Sequence, residues 1–414
     1  MRRNWSSTVD LEGREVRPTS AADVAAQVSA EGAALALGSA HSFSTVAVTP
    51  GMHVETMGLP ADIRVEGNTA SVGAGTTYAE LGRELHARGR ALAAMASLPH
   101  ITVGGAISTG THGSGDAIGT LSSAVTGLEI VTADGEIRWV RRGVDADFSG
   151  WVVALGALGV VTRVELEVEP TYGVAQTVFA GLDLDVVESD FDAVFSAATS
   201  VSVFTRWRPE PDAQLWLKRR VDREGAWPGG PAFGATERTA PLHPLEQLDP
   251  VHCNPQLGQP GPWHERLPHF HADFTPSAGD EIQAEYLLPR ARAVEAIRAL
   301  RSLHTIITPL LHVTEIRTMR ADDLWLSPAY GHDTVGIHFT WHRDDRIYDV
   351  LPAIEDIVLP LGARPHWGKV SRATPEQVRA AFPRWDDFVS LITAMDPDGR
   401  FRSPFVTRLL GASG

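Results

Sequence analysis

The strongest constraint on this chain is a pair of small-residue loops in its first third, each carrying one histidine. The first reads Gly38-Ser39-Ala40-His41-Ser42-Phe43-Ser44 and follows a short apolar run, Ala33 to Leu37. The second runs Gly-Gly-Ala-Ile-Ser-Thr-Gly-Thr-His-Gly-Ser-Gly from Gly104 to Gly115. Glycine lets a backbone take positive φ and approach a ligand closely. Successive peptide N–H groups in such loops form a nest for anions such as phosphate. Two loops of this kind predict one large phosphate-bearing cofactor gripped from two sides. A lone histidine in a turn is more often a simple hydrogen-bonding residue, so His41 and His112 gain meaning only from that joint context.

At 414 residues the chain exceeds what one hydrophobic core usually supports, and two domains are expected. A hydrophobic content of 43% with 21% charged residues is that of an ordinary soluble globular chain. The formal net charge of -15 argues against a nucleic-acid binder and against docking on anionic lipid. A single cysteine, Cys253, excludes an intramolecular disulfide and any multi-cysteine metal site. No apolar stretch follows the charged Met-Arg-Arg-Asn start, and none approaches the roughly 20 residues that span a bilayer. A cytoplasmic location, with no membrane or nucleic-acid partner, is the expectation.

Residues 18–40 read as a helix, capped by Ser20 with Asp23 in its first turn, followed by a strand. A strand falls near Ala70 to Val72, and Thr77-x-x-Glu80 has the spacing that opens a helix ending near Gly89. Leu128–Val131 and Glu136–Val140 flank Ala133-Asp134-Gly135, which predicts a hairpin with a tight primed turn. Beyond Gly156–Thr162, Val164, Leu166 and Val168 alternate with Arg163, Glu165 and Glu167 until Pro170. The domain boundary is placed there. The remainder reads as a domain over 171–370, an antiparallel sheet with flanking helices, and a C-terminal segment, 371–414, expected to pack back on the first 170 residues. Residues 224–260 are turn-rich and read as loop. Helices are expected over 291–303, 375–382 and 385–395.

In Thr314-Glu315-Ile316-Arg317, Glu315 and Arg317 share one strand face. In Val335 to His342, Ile337, Phe339 and Trp341 face one way while His338, Thr340 and His342 face the other. Lys369 adds a cation from His366-Trp-Gly-Lys. Such a polar sheet face suits a polyhydroxylated ligand, which needs convergent donors and acceptors and one group to take a hydroxyl proton. The bland reading is a solvated sheet face with a surface ion pair. His264, His269 and His271 imitate a metal cluster, but Pro268 breaks any helix there and the spacing fits no zinc signature, so no metal is expected. Cys253 reads as an incidental thiol. Neither a Walker-type loop nor a Gly-x-Gly-x-x-Gly strand–turn–helix unit is present.

Taken together, Gly38-Ser-Ala-His-Ser-Phe43, Pro99–Gly105, Thr109–Gly115 and Gly156–Thr162 resemble the flavoproteins of the vanillyl-alcohol oxidase type. Trp216–Arg220, Gly261–Phe270, Thr314–Arg317, His338–Trp341 and Pro365–Lys369 narrow the resemblance to the alditol oxidases. It covers nearly the whole chain. The implied fold is α+β: a PCMH-like FAD-binding domain and a cap domain whose antiparallel sheet lies over the flavin. By the same resemblance His41 is the residue bonded covalently to FAD. Gly38, Ser39, Ala40, Ser42 and Phe43 wrap the cofactor, as do Thr102, Ser108, Gly110, Thr111, His112, Gly113, Ser114 and Gly115. Val160 or Val161 supplies backbone contacts and His366 lies against the ring. Thr102 and Thr340 join the substrate site, and Thr102 keeps the hydroxyl of a serine common in relatives.

The implied reaction oxidises the terminal primary alcohol of a linear polyol, with dioxygen reduced to hydrogen peroxide, in a chain expected to work as a monomer. Arg317 and Lys369 are expected to stabilise charge growing on the alcohol oxygen. Glu315 orients Arg317 or accepts a substrate hydroxyl, and His338, with an unperturbed pKa near 6.5, is the candidate base. The nearest rival is a sugar-lactone oxidase or dehydrogenase of the gulono or galactono type. A flavin-free carbohydrate-binding or metal-dependent protein is the rival from another class.

Overall fold

Strict alternation makes Val160–Glu167 a strand: Val160, Thr162, Val164 and Leu166 are buried, and the residues between them are half-buried or exposed. In the computed structural model, which describes residues 2–30, 32–245, 247–273 and 281–411, this strand centres a five-stranded antiparallel sheet. The order is Ile137–Arg141, Val125–Val131, Val160–Glu167, Thr69–Gly73, Arg64–Glu66. Beside it lies a three-stranded parallel sheet, Arg14–Val16, Met52–Glu55 and Ala34–Leu37. The helix Ala21–Ala30 buries Val24 and Val28 against Met52, Val54, Val131 and Val160. Asp23 sits in its first turn, where its N–H donates to Ser20 Oγ at 3.1 Å. Thr77 likewise caps Tyr78–Ala87 by accepting from the Glu80 N–H.

The hairpin forms where the sequence places it, with a different turn. Thr132 N–H donates to Glu136 O at 3.0 Å and Gly135 N–H to Thr132 O at 2.9 Å. Gly135 alone in the loop has positive φ, +83°. A type I′ turn requires positive φ at two positions; this is a three-residue loop with glycine in the left-handed region. The Thr132 hydroxyl on Asp134 Oδ1, 2.7 Å away, holds the aspartate in place.

From Gly173 the described residues form a nine-stranded sheet in which every pairing is antiparallel. Its centre runs Ala213–Arg220, Ser200–Thr205, Leu311–Met319, Thr334–His342, Glu281–Pro289. One face carries Ile316, Ile337, Phe339, Trp341 and Tyr286, covered by the helices Ala293–Arg301 and Ile347–Val358. Burying each large side chain contributes roughly 2 kcal/mol, so this face fixes which side of the sheet is left for polar groups. The helix expected over 291–303 opens as a short 3₁₀ turn before Ala293–Arg301. Residues 224–260 are mostly loop, but Thr236–Glu237 within them pairs with Gly173–Leu182, as does Pro260–Pro262 at their end.

A second core collects Val72, Leu81, Leu128 and Val164 with tail residues Phe382, Trp385, Phe388, Ile392 and Val406. The tail helices are Pro375–Ala381, Trp385–Met395 and, not foreseen, Pro404–Leu410. The two cores are stitched by Gly115 N–H on Thr318 O at 2.8 Å and by Arg290 on Asp116 at 2.5 Å.

Candidate active site and cofactor cleft

The strand Ala34–Leu37 delivers the first loop to the junction of the two cores. Gly38 has to be glycine: a Cβ there would meet Thr102 Oγ1 at 2.1 Å, because the two loops touch. Ala40 takes positive φ, +56°, uncommon without glycine. The strain is held from two sides. Trp5 N–H donates to Ala40 O at 2.8 Å and Asn4 Nδ2 to Ser42 O at 2.9 Å. Opposite, Phe43 N–H donates to Gly368 O at 2.7 Å and Ser44 Oγ to Trp367 O at 2.6 Å. The His41 ring stacks on Trp5, centroids 5.3 Å apart. Its Nδ1 is buried and has no partner among the described residues. Burial, then the neighbouring His100, brings its pKa down to about 4, so the imidazole is neutral.

Thr102 N-caps the short helix Val103–Ser108; its N–H donates to Ser39 Oγ at 3.2 Å while its own Oγ1 is buried without a partner. A cavity of about 890 Å³ opens here, lined by Gly38 to Ser44, Thr102, Ser108, Thr111, His112, Val161 and His366, with Glu315, Arg317, His338, Thr340 and Lys369 on its other wall.

Five of the expected cofactor residues lie elsewhere. Gly110 backs onto Pro328, where a Cβ would meet Cδ at 2.7 Å, and Gly113 onto Met95 O. Ser114 Oγ donates to Val201 O, and Gly115, at φ +149°, bridges to Met319, so this end of the loop joins the two cores. Of the valine pair, strand alternation sends Val160 into the core and Val161 to the cavity. Gly104, Gly105, Ala106, Thr109, Gly156 and Gly159 line the cavity and were not singled out, although they sit inside the quoted motifs.

The opposite wall is the polar face of the sheet. Pairing register places Glu315, His338 and Glu285 directly abreast on three adjacent strands. Arg317 Nη2 lies 2.7 Å from Glu285 Oε1, and its Nη1 reaches Ser97 Oγ at 3.3 Å. Arg317 Nε is 3.5 Å from Glu315 Oε2. Gly336, paired with Arg317, leaves the space: a Cβ there would come within 3.3 Å of Glu285 Oε1. Lys369 bonds Gln283 Oε1 and stands over the Phe43 ring.

Burial penalises the charged forms of both carboxyls. Arg317 and His269 nevertheless hold Glu315 below the usual carboxylate range, and His112 and Arg317 do the same for Glu285. Both therefore stay ionised. Burial depresses Lys369, with Glu285 opposing. His338 departs from expectation: burial and then Lys369 bring it down to about 3. The near-neutral pKa that made it the candidate base does not survive in the fold. It remains a neutral acceptor, its buried Nε2 without a partner among the described residues.

Glu285, Gln283 and His269 are site residues that sequence reasoning missed. The signal for the first two was present: Glu281, Gln283 and Glu285 alternate with Ile282, Ala284 and Tyr286, as in the two strands that were read correctly. His269 was set aside with His264 and His271, which do not converge with it. His264 packs on His86 at 5.1 Å, whereas His269 Nε2 lies 2.8 Å from Glu315 Oε1. His342, on the same strand face as His338, is exposed and packs on His312. His112, Glu285 and His366 bring ligand-type atoms within 4.8 Å of one another. The Arg317 guanidinium bonds Glu285 Oε1, which ties that cluster into the ion-pair network of the sheet face.

Residues 14–141 match a family model described as an FAD binding domain, and residues 280–409 one described as D-arabinono-1,4-lactone oxidase. An alditol oxidase from Streptomyces sp. (strain IKD472 / FERM P-14339) is 42% identical over 98% of both chains. The L-gulono-1,4-lactone dehydrogenase of Mycobacterium tuberculosis is 30% identical over 99% of this chain and 98% of its own. Cholesterol oxidase from B. sterolicum shares the fold with a TM-score of 0.80 at 14% identity, over 99% of this chain and 96% of that one. The cleft fits FAD: it is roomy, lined by glycines that admit close backbone approach, and includes the unpartnered His41 Nδ1 and Thr102 Oγ1 in its lining residues.

Proposed function

Because the chain belongs to the alditol oxidase family of FAD-dependent oxidoreductases, of the vanillyl-alcohol oxidase type, we propose that it oxidises the terminal primary alcohol of linear alditols to the aldose. Bound FAD, held by the His41 loop and the helix after Thr102, would supply the acceptor for the C1 hydride and the route of the electrons to dioxygen, with hydrogen peroxide as the product. Everything else falls to the chain's own side chains. An alcohol is a poor hydride donor until its oxygen carries negative charge. Arg317 and Lys369 offer fixed cations to that oxygen in a buried site, where they act more strongly than in water. His338, neutral and weakly basic, offers its unpartnered Nε2 as a hydrogen-bond acceptor to the reacting hydroxyl. It would take the proton only as the C1–H bond breaks and the carbonyl forms, when that proton becomes far more acidic than in the resting alcohol. Glu315, Gln283 and Thr340 offer acceptors and donors to further hydroxyls, and Thr102 closes the site from the cofactor side.

His41, neutral and unpartnered at Nδ1, is the proposed point of covalent attachment to FAD. Gly38 to Phe43 with Ser108, Thr111 and His112 would hold the rest of the cofactor, and His366 its ring. We place the cofactor unit in residues 1–170, the substrate cap in 171–370 and a supporting tail in 371–414, working in the cytoplasm as a monomer. The observation that carries the reading is the row Glu315–His338–Glu285, in register and flanked by Arg317 and Lys369, on the wall facing the His41 loop.

The test mixes purified protein with xylitol, sorbitol, glycerol and a gulonolactone, following peroxide release in air and bleaching of the flavin band without oxygen. Polyols are expected to bleach it and generate peroxide. Bleaching by the lactone alone would transfer the chain to the lactone-oxidising relatives; bleaching without peroxide would make it a dehydrogenase.

A further inference from the structure

We propose that Lys218 and His269 form a buried relay that fixes the Glu315 carboxylate for recognition of a substrate hydroxyl, Lys218 deciding which nitrogen of His269 carries the proton. The substrate half of this inference rests on the polyol reading above; the hydrogen-bond half does not.

Lys218 lies in the strand Ala213–Arg220 and is 1% exposed. Its Nζ contacts Leu267 O, Pro268 O at 3.1 Å and His269 Nδ1 at 3.0 Å. Burial brings the Lys218 pKa down to about 7, and below that pH it is an ammonium, whose three N–H donors, with no lone pair, meet three acceptor positions. The two carbonyls can only accept, so the third donor falls to Nδ1, which must present its lone pair. In a neutral imidazole the proton is then on Nε2, 2.8 Å from Glu315 Oε1. Burial and then the charge of Lys218 bring the His269 pKa down to about 4, which keeps the ring neutral. The opposite tautomer would aim a lone pair at the carboxylate.

The ring is held in plane as well as in protonation. Phe204 and Trp216 pack against it edge to face, each with centroids 5.4 Å away. His269 N–H donates to Ser97 O, and the Ser97 hydroxyl accepts from Arg317. One residue thus ties the relay to the guanidinium beside Glu315. With Oε1 engaged by His269, Oε2 is the oxygen turned toward Arg317, in a residue that lines the cavity. A buried lysine is costly, and all three bonds of Lys218 go to neutral acceptors, so no local ion pair accounts for its retention. Its effect is delivered one residue further on. Lys218 and His269 are positioning residues in the sense of partners that orient groups contacting a ligand.

The experiment uses the flavin-loaded protein and the variants Lys218→Met, His269→Leu and His269→Gln. Bound flavin per chain reports folding, and KM and kcat for xylitol report the site. Lys218→Met and His269→Leu are expected to keep their flavin and raise KM on the order of 10- to 100-fold, with kcat changing less than about threefold. His269→Gln, whose side-chain amide can donate to the same oxygen, is expected to recover most of that loss. Separately, nitrogen-15 NMR of the wild-type protein at a pH between about 4 and about 7, where Lys218 is charged and the ring neutral, is expected to show the Nε2–H tautomer at His269. The Nδ1–H tautomer, an unchanged KM in Lys218→Met, or a His269→Gln as impaired as His269→Leu would overturn the relay. Should no polyol reduce the wild-type protein, the substrate reading falls and the tautomer still decides the hydrogen-bond half. Should the variants not fold, the wild-type tautomer decides it alone.

Discussion

At Lys369 a half-buried amine stands 5.4 Å from the centroid of the Phe43 ring, bonded to Gln283, with no carboxylate of its own among the described residues. A cation so placed is stabilised most when negative charge grows beside it, which is the condition for lowering a barrier rather than merely binding. Lys369→Met is expected to slow anaerobic flavin reduction by polyol on the order of 10²- to 10³-fold while flavin content is unchanged. Stopped-flow bleaching measures it, and equal rates would remove Lys369 from the mechanism. His41 carries the other prediction at this scale. The wild-type protein is expected to keep its yellow colour in the pellet after acid precipitation, whereas His41→Ala binds flavin but releases it to the supernatant. Colour released from the wild type would end the covalent proposal.

Among the elements, the three adjacent strands of the cap sheet do most to make the site. Their apolar alternation commits Ile316, Ile337 and Phe339 to the core, and Glu315, His338 and Glu285 follow on the other face without further instruction. The tail packs into the second core. Thr374 caps Pro375–Ala381 through a full capping box with Gln377, and this helix sets Val378, with Phe382 at its C-cap, into that core. Thr374→Ala is expected to cost about 1 kcal/mol of stability and to leave the polyol reduction rate unchanged, as read from denaturant midpoints and bleaching kinetics on one preparation. A matching loss of rate would mean that the tail does more than support.

Across the whole molecule, burial keeps several imidazoles neutral: His243, His264 and His269 fall to about 4 and His338 to about 3, desolvation being the first cause in each. Unfolded, these rings titrate near 6.5. Between that value and about 4 the unfolded chain therefore binds more protons than the native one. Stability is fully present above about pH 6.5 and is lost as pH falls through this window. Each fully buried ring adds up to about 1.4 kcal/mol per pH unit to the slope, and the partly exposed ones less. Urea midpoints are expected to drop clearly between pH 7.5 and pH 5; equal midpoints would show that these rings are not held neutral.

Local sequence by itself determined whatever depends on local period and turn chemistry. It set the alternation of Val160–Glu167 and Thr334–His342, the caps at Ser20 and Thr77, and the glycine turn that brings His41 forward. These follow from steric and hydrogen-bonding rules acting over a few residues, and so they could be read without the fold. Which groups meet was decided by long-range packing. Register across strands far apart in sequence set Glu285 beside Arg317, while the joining of the two cores drew Ser114 and Gly115 away from the cleft. Burial then reset the proton affinity of His338. A pKa and an ion pair depend on neighbours that only the closed fold supplies, which is why His269 could be listed by its spacing yet its bond to Glu315 could not.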